Sequence, residues 1–213
     1  MKGCEILPVG PESPDQGTIA KAAALIKKGG LVVFPTSSFY GLATEAFNAE
    51  AVGKVFRVKK RDPHKPLLIL IASLADLTPL VRAVPKTATR LMEAFWPGRL
   101  TIIFQAADLL PSNLTGHTGQ IGIRLAGHPV ASSLAKAVGN PFTGTSANLS
   151  GKGGCTAVAQ LDQHIRNQVD LILDAGKLEG GEASTVVDVT VAPPKILREG
   201  VIDAEKIMAL FTQ

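Results

Sequence analysis

The chain has 213 residues, of which 46% are hydrophobic and 21 are glycines, a composition typical of a globular protein with a sizeable core. No apolar run reaches the ~18 residues of a membrane-spanning helix, and the N-terminal sequence MKGCEILPVGPE lacks the apolar segment of a signal peptide. The two cysteines lack CxxC spacing, and the four histidines form no HxxxH pair. These features predict a cytoplasmic protein with free thiols, no metal centre and no membrane association.

The hydrophobic periodicity predicts helices and strands that alternate along much of the chain. The first helix, residues 18–28, is rich in alanine and ends at a Gly-Gly pair, and a strand follows over residues 31–35. A second helix, residues 49–60, precedes a strand over residues 67–72 that is apolar on both faces, as in the interior of a sheet. Further predicted helices span residues 86–95, 130–138, 156–167 and 203–211. Further predicted strands span residues 100–105, 121–125, 142–145, 170–173, 185–190 and 195–198.

No linker, repeat or low-complexity tract divides the sequence, so we expect one α/β domain over residues 1–213. Some neighbouring strands have no helix between them, and antiparallel neighbours need no helical crossover. The sequence therefore predicts a single twisted mixed sheet with flanking helices.

Nearly all of the net charge of +4 comes from one short segment. Between positions 54 and 65 six basic residues stand against one acidic residue, which gives +5 (6 − 1) and leaves −1 for the rest. The basic residues are Lys54, Arg57, Lys59, Lys60, Arg61 and Lys65. Such a cluster at the end of a helix either interacts with the helix dipole and solvent or binds an anionic ligand. Arg61 lies directly before a buried strand, a position from which its side chain can reach a phosphate or carboxylate ligand. The sequence leaves both interpretations, a solvated helix end and an anion site, open.

Other polar groups follow predicted strands. The hydroxyl-rich segment 36–41 (TSSFYG) either caps the strand before it or lines a binding site. The segment 145–151 (TSANLSG) is either a turn or an anion-binding nest, although its glycine spacing does not match a Walker motif. Arg124 and Arg198 each end an apolar strand, a position that suits a bidentate anionic partner or a structural ion pair.

In order along the chain, these segments resemble the motifs of the YrdC/Sua5/YciO family over about residues 15–202. The matching segments are PTSSFYGL, KKR with KPL, FWPGRLTII, IGIRLAGHP, TSANLSG, STVVD and ILREG. Members of this family make threonylcarbamoyl-adenylate for the tRNA modification t6A at position 37. The resemblance implies a YrdC-like α/β fold around a basic concave cavity. It also implies a nucleotidyltransferase, L-threonylcarbamoyladenylate synthase, that uses L-threonine, bicarbonate and ATP.

The resemblance further implies roles for individual residues. Thr36 and Tyr40 are expected at L-threonine, with Arg124 on its carboxylate and Gly41 shaping the pocket. Residues expected at ATP are Lys59, Arg61, Lys65, Ser146, Asn148 and Arg198, of which Lys59 and Arg61 are the expected catalytic cations. Mg²⁺ is expected to accompany ATP without a metal site of the protein, and tRNA is expected to be reached through a downstream threonylcarbamoyl transferase.

The chain departs from the family pattern at several positions, which are Ser37, Ser38, Asp62, Leu70 and Gly154. Leu70 stands where some members carry a histidine that contacts threonine. These departures leave open a paralogue that carbamoylates or adenylylates another substrate. A further alternative is a module that binds double-stranded RNA or tRNA directly, although one Trp and one Tyr make a poor stacking platform.

Overall fold

The computed structural model describes residues 4–211. The first three residues of the N-terminal segment, in which no signal peptide was predicted, lie outside this range. Within that range the chain forms eleven strands and six α-helices. The strands are β1 (Glu5–Pro8), β2 (Val32–Pro35), β3 (Tyr40–Ala43), β4 (Ile69–Ile71), β5 (Leu100–Gln105), β6 (Gln120–Leu125), β7 (Phe142–Thr143), β8 (Thr145–Ser146), β9 (Leu171–Asp174), β10 (Thr185–Asp188) and β11 (Lys195–Arg198). The helices are α1 (Gln16–Lys27), α2 (Ala49–Lys59), α3 (Lys86–Phe95), α4 (Pro129–Val138), α5 (Gln163–Arg166) and α6 (Ala204–Met208).

The strands form two mixed sheets. The first has the order β1-β9-β2-β3-β8 and the second has the order β11-β10-β5-β6-β4-β7. In the first sheet β2 is parallel to β9 and antiparallel to β3, and in the second β10 is parallel to β5 and antiparallel to β11. This single α/β domain confirms the predicted class and its mixed pairing, whereas the strands separate into two hydrogen-bonded sheets instead of the one that was predicted.

One segment of the chain passes through both sheets. The predicted strand 142–145 is divided into β7, which pairs with β4, and β8, which pairs with β3. Gly144 lies between them, and a Cβ there would be 2.8 Å from the side chains of Leu68 and Leu70, so a larger residue would force these side chains to shift. Because the chain moves from one sheet to the other at Gly144, one predicted strand became two.

Alternation along β2 explains how the first sheet is covered on both faces. Val32 and Phe34 pack in a cluster with α1 and α4, whereas Val33 belongs to a larger cluster that includes α2, α3 and the second sheet. Helix α2 begins at Asn48, whose side chain accepts a hydrogen bond from the Ala51 amide, a cap worth about 1 kcal/mol. The hydrophobic periodicity therefore places these helices correctly.

Several elements differ from the prediction, two of them at side-chain caps. The predicted helix 156–167 is a short 3-10 turn followed by α5, because Asp162 caps α5 through the His164 amide. The predicted strand 185–190 ends at Asp188, whose carboxylate accepts hydrogen bonds from the Thr190 amide and hydroxyl. The predicted helix 203–211 is shortened to α6, and β1 and β3 were not predicted. No helix in the range 4–211 is both long and apolar enough to cross a membrane.

Candidate functional site

A cavity of about 380 Å³ lies between elements of the two sheets. On the side of the first sheet its walls include strand β8 and the turn that precedes β3. On the side of the second sheet they include β5, β6, β10 and β11. Three arginines line it, Arg61, Arg124 and Arg198, and no Asp or Glu is found among the described residues of its lining. Residues that are far apart in the sequence thus place three guanidinium groups around one hollow.

Arg124 is the cation of this cavity without a partner. Within residues 4–211 its guanidinium makes no hydrogen bond and no ion pair, although it is only partly exposed on β6. Burial, together with the neighbouring positive charges of Arg198 and Arg99, lowers the pKa of Arg124 to about 10. A desolvated cation without a counterion gains strongly from an anionic ligand. The expected role of Arg124 at a carboxylate fits this environment and stays a prediction.

Arg61 and Arg198 are fixed by main-chain carbonyls. Arg61 donates through Nε to Lys65 O at 3.1 Å and through Nη2 to Pro66 O at 2.8 Å. Arg198 donates to Ser184 O from Nε at 3.1 Å and from Nη2 at 2.6 Å. Burial lowers the pKa of both groups. Carbonyls orient these guanidinium groups without neutralising them, and the Nη1 atom of each forms no hydrogen bond within the described residues.

Two buried hydroxyls in the cavity lining were missed by the sequence analysis. The Oγ atoms of Thr101 and Ser184 lie 3.1 Å apart, and Arg198 Nη2 donates to Ser184 Oγ at 3.2 Å. Both residues belong to quoted motifs, LTII and STVVD, in which a hydroxyl stands at the start of a buried strand. The hydroxyl at the start of each buried strand was the sequence signal for these two residues, because a buried polar side chain needs a hydrogen-bond partner.

Lys59 is buried behind the cavity and does not belong to its lining. Its ammonium donates to Ser146 O, to Asn148 O at 2.7 Å and to Asn148 Oδ1 at 3.4 Å. Burial lowers the pKa of Lys59 to about 8, and the charge of Arg61 contributes. Of the loop that Lys59 binds, Ser146 lines the cavity and Asn148 does not.

The hydroxyl-rich turn before β3 contributes Thr36 to the cavity lining, and the start of β3 contributes Tyr40 and Gly41. Thr36 Oγ1 donates to Phe39 O at 2.6 Å, which closes the turn. The Tyr40 hydroxyl is directed elsewhere, since it donates to Gly176 O at 2.7 Å and accepts from the Ala175 amide at 3.0 Å. Burial raises the pKa of Tyr40 to about 12. The expected roles of Thr36 and Tyr40 at threonine stay predictions.

The basic cluster of the sequence does not act as one patch. Lys54 pairs with Glu50, and Arg57, Lys60 and Lys65 are exposed. Lys65 is not part of the cavity lining, so its expected contact with ATP, like those of Lys59 and Asn148, stays a prediction. Arg61 is the member of the cluster that lines the cavity, and the other two arginines come from β6 and β11.

Comparisons with known proteins identify the family of this chain. The sequence model of the Sua5/YciO/YrdC family, described as "Telomere recombination", matches residues 24–200. The threonylcarbamoyl-AMP synthase of Pyrococcus abyssi is 35% identical over 92% of this chain, and the chain spans 58% of the length of that relative.

Two solved structures show how far the likeness extends. The crystal structure of P. abyssi Sua5 complexed with L-threonine superposes with a TM-score of 0.92 and 34% identity, covering 97% of this chain and 61% of that one. Escherichia coli YciO superposes with a TM-score of 0.87 and 29% identity, covering 96% of this chain and 99% of that one. The motifs, the fold and these matches together show that the chain belongs to the Sua5/YciO/YrdC family.

Proposed function

We propose that this protein is an L-threonylcarbamoyladenylate synthase that forms threonylcarbamoyl-AMP, pyrophosphate and water from L-threonine, bicarbonate and ATP. The observation that carries the proposal is the convergence of Arg61, Arg124 and Arg198, none of them neutralised by a carboxylate, on one cavity. The threonine complex of the Sua5 relative supports L-threonine as the amino acid. The predicted basic character of the cavity is part of the proposal.

In this proposal the substrate anions are divided among the arginines. Arg124 binds the threonine carboxylate, because its guanidinium has every donor available and lines the cavity together with Thr36. The same two residues also line a small second pocket, the recess of Thr36 and Arg124. Arg61 binds the phosphates and Arg198 the nucleotide, each through the Nη1 atom that the carbonyl bonds leave available. Ser146 contributes a hydroxyl to the phosphate chain once it turns away from Asn148 Oδ1, to which it donates here.

The proposed reaction needs no side-chain nucleophile. The threonine amine takes up carbon dioxide formed from bicarbonate, and a carbamate oxygen of the product attacks the α-phosphorus of ATP. The bond between the α-phosphorus and the bridging oxygen breaks, and pyrophosphate leaves. The protein contributes proximity and stabilisation of the charge that develops on the phosphate oxygens, which is the role of Arg61 and Arg198.

Mg²⁺ enters the proposal only as a companion of ATP. No group of three or more His, Cys, Asp or Glu side chains that could hold a metal occurs in the described part of the chain. The cavity lining, over the same residues, has no carboxylate. The side chains present therefore do not fit a protein-bound Mg²⁺, and triphosphate oxygens and water are the ligands that Mg²⁺ prefers.

The cellular context completes the proposal. The product would serve t6A formation at position 37 of tRNA through a downstream threonylcarbamoyl transferase, in the cytoplasm and without direct membrane contact. Direct binding of tRNA or double-stranded RNA is an alternative that the salt dependence of binding separates, because phosphate-backbone contacts give a steep salt slope.

One observation favours a paralogue with another substrate as the second candidate. Leu70 borders the recess of Thr36 and Arg124, and its buried apolar side chain offers no hydrogen bond to a threonine hydroxyl. Under this alternative the same arginines bind a different amino acid or acceptor.

The test is the release of pyrophosphate by the purified protein in the presence of ATP, bicarbonate and Mg²⁺. We expect release to depend on L-threonine, and threonylcarbamoyl-AMP to be found by mass spectrometry. L-serine and L-valine serve as matched controls, since serine lacks the methyl group of the threonine side chain and valine carries a methyl group in place of its hydroxyl. Release with another amine and not with L-threonine favours the paralogue, and no amine-dependent release at all contradicts the proposal.

A further inference from the structure

The C-terminal end of α2 is joined to the loop of residues 146–151 by side-chain and main-chain bonds. Lys59 Nζ donates to two carbonyls, of Ser146 and Asn148, and to Asn148 Oδ1. In the opposite direction the Ser150 amide donates to Lys59 O at 2.9 Å. The loop is thus bound to the helix end by both the side chain and the main chain of the same lysine.

The ammonium of Lys59 has no donor left for a ligand. A lysine ammonium has three N–H groups, and three loop acceptors are occupied by Lys59 Nζ. The residue is 2% exposed, and no atom of it contributes to the cavity lining. A direct bond to a phosphate would require Lys59 to give up at least one of these loop acceptors.

Asn148 transmits the same constraint to Ser146. Asn148 Oδ1 accepts from Lys59 Nζ and from Ser146 Oγ, while its Nδ2 donates to Leu149 O at 2.9 Å and to Lys152 O. Both ends of the amide are therefore engaged within the loop. Ser146 is the residue of this network that reaches the cavity. Lys59 holds its main chain directly, and Asn148 holds its hydroxyl until a ligand accepts a hydrogen bond from it.

We propose that Lys59 is a positioning residue that holds the loop 146–151 so that Ser146 faces the cavity, and that Lys59 does not itself contact ATP. This inference replaces the direct phosphate contact expected from the sequence, and for its effect on ATP it rests on the proposed function. The cations that touch the ligand are then the arginines, and Lys59 acts through Asn148 and Ser146. Two of the three acceptors of its buried ammonium are main-chain carbonyls. These acceptors do not titrate.

A double-mutant cycle on ATP affinity separates positioning from direct contact. We expect Lys59→Met and Asn148→Ala each to weaken ATP binding about tenfold, and the double variant to be no more than ~3-fold weaker than either single variant, because both remove one network. If Lys59 bound phosphate independently of Asn148, the two losses would multiply to ~100-fold, and that result overturns the proposal. Lys60→Met is the matched control, since it removes the same charge from the adjacent, exposed position.

Hydrogen exchange in the absence of any nucleotide tests the clamp without relying on the proposed function. We expect Lys59→Met to accelerate amide exchange across residues 146–151 at least ~10-fold, and Lys60→Met to leave it unchanged. Unchanged exchange in Lys59→Met overturns the proposal.

Two further outcomes are distinguishable. Should the wild-type protein bind no ATP while Lys59→Met still accelerates exchange, the proposed function fails and the clamp stands. Should Lys59→Met not fold, Asn148→Ala carries the test from the other side, and unchanged loop exchange in that variant contradicts the proposal.

Discussion

Lys59 and Arg124 are both withdrawn from solvent near the same cavity, yet they are held in opposite ways. Lys59 has all three donors engaged by one loop, whereas Arg124 has none engaged within the described residues. Burial lowers the pKa of both side chains. Burial alone therefore does not separate a structural cation from a ligand-binding one, but the donors that the protein leaves available do.

The sharpest test of this comparison is Arg124→Met. We expect kcat/KM for L-threonine to fall ~100-fold or more, because the loss of a desolvated charge pair costs about 3 kcal/mol. Thermal unfolding should occur at the same or a higher temperature, since the variant removes a half-buried cation that has no partner in the folded protein. Arg57→Met, on the exposed face of α2, is the control that removes an equal charge. A large drop in melting temperature would mean that Arg124 is structural.

Arg61 lies between the two extremes, with part of its guanidinium engaged. We expect Arg61→Ala to lower ATP-dependent activity at least ~10-fold and to shift the melting temperature by only ~2–4 °C, since it loses hydrogen bonds to two carbonyls. Steady-state kinetics and calorimetry on the same preparation measure both quantities. If the variant unfolds instead, Arg61 belongs with Lys59 as a structural cation.

ATP affinity should also depend on pH through Lys59, the cation whose three donors are all engaged. Because the pKa of Lys59 is about 8, its amine becomes neutral above that pH and retains two donors for three acceptors. We expect ATP affinity to fall severalfold as the pH rises from 7 to 9. The other ionisable groups that act on Lys59 are Arg61, which stays charged, and Cys155, whose thiol pKa burial raises. The Lys59→Met variant should show no such fall, and a fall of equal size in that variant would assign it to another group.

ATP affinity is expected to fall as the pH rises, whereas the free energy of unfolding should rise with pH over a neighbouring range. The folded-state pKa of Lys59, about 8, is below its ordinary value of 10.5, so the unfolded chain binds more protons between these two values. The contribution of Lys59 to the free energy of unfolding therefore rises with pH in this range. Denaturant titrations of the wild type and of Lys59→Met, compared at pH 7.5 and 10, measure it.

The smallest effect on catalysis is expected for Tyr40→Phe. The Tyr40 hydroxyl bonds to Gly176 O and the Ala175 amide, away from the ligands of the proposal. We expect a loss of about 1–2 kcal/mol in the free energy of unfolding, with kcat/KM for threonine within twofold of the wild type. A threonine KM raised tenfold, at unchanged stability, would instead support the threonine-binding role expected from the sequence.

Much of the fold was predictable because burial imposes a periodicity on the sequence. Helix α1 and strand β2 follow from apolar spacing and a glycine stop, and both occur where predicted. Strand β3 was missed because its first residues belong to a hydroxyl-rich segment that reads as a turn. The division at Gly144 was missed because it depends on the approach of Leu68 and Leu70, and no periodicity encodes that contact.

The site was predictable where a charged side chain ends a strand. From their strand positions Arg124 and Arg198 were expected to meet either an anionic ligand or a structural ion pair, and the family resemblance favoured the ligand. Both line the cavity together with Ser146. The surroundings of Lys59 were not predictable, because its partners are mostly main-chain carbonyls, which leave no trace in residue identities. A run of basic residues thus indicates charge but not the direction in which each side chain lies.

The position of Arg198 on β11 has a consequence for biosynthesis. The turn that carries Thr36 leaves the ribosome early, whereas Arg198 reaches the cavity only after β11 has paired with β10 near the end of the described chain. A nascent polypeptide therefore cannot bring Arg61, Arg124 and Arg198 together around this cavity until residue 198 has left the ribosome. Nucleotide binding by ribosome-bound chains stalled at successive lengths would mark the moment when that last strand docks.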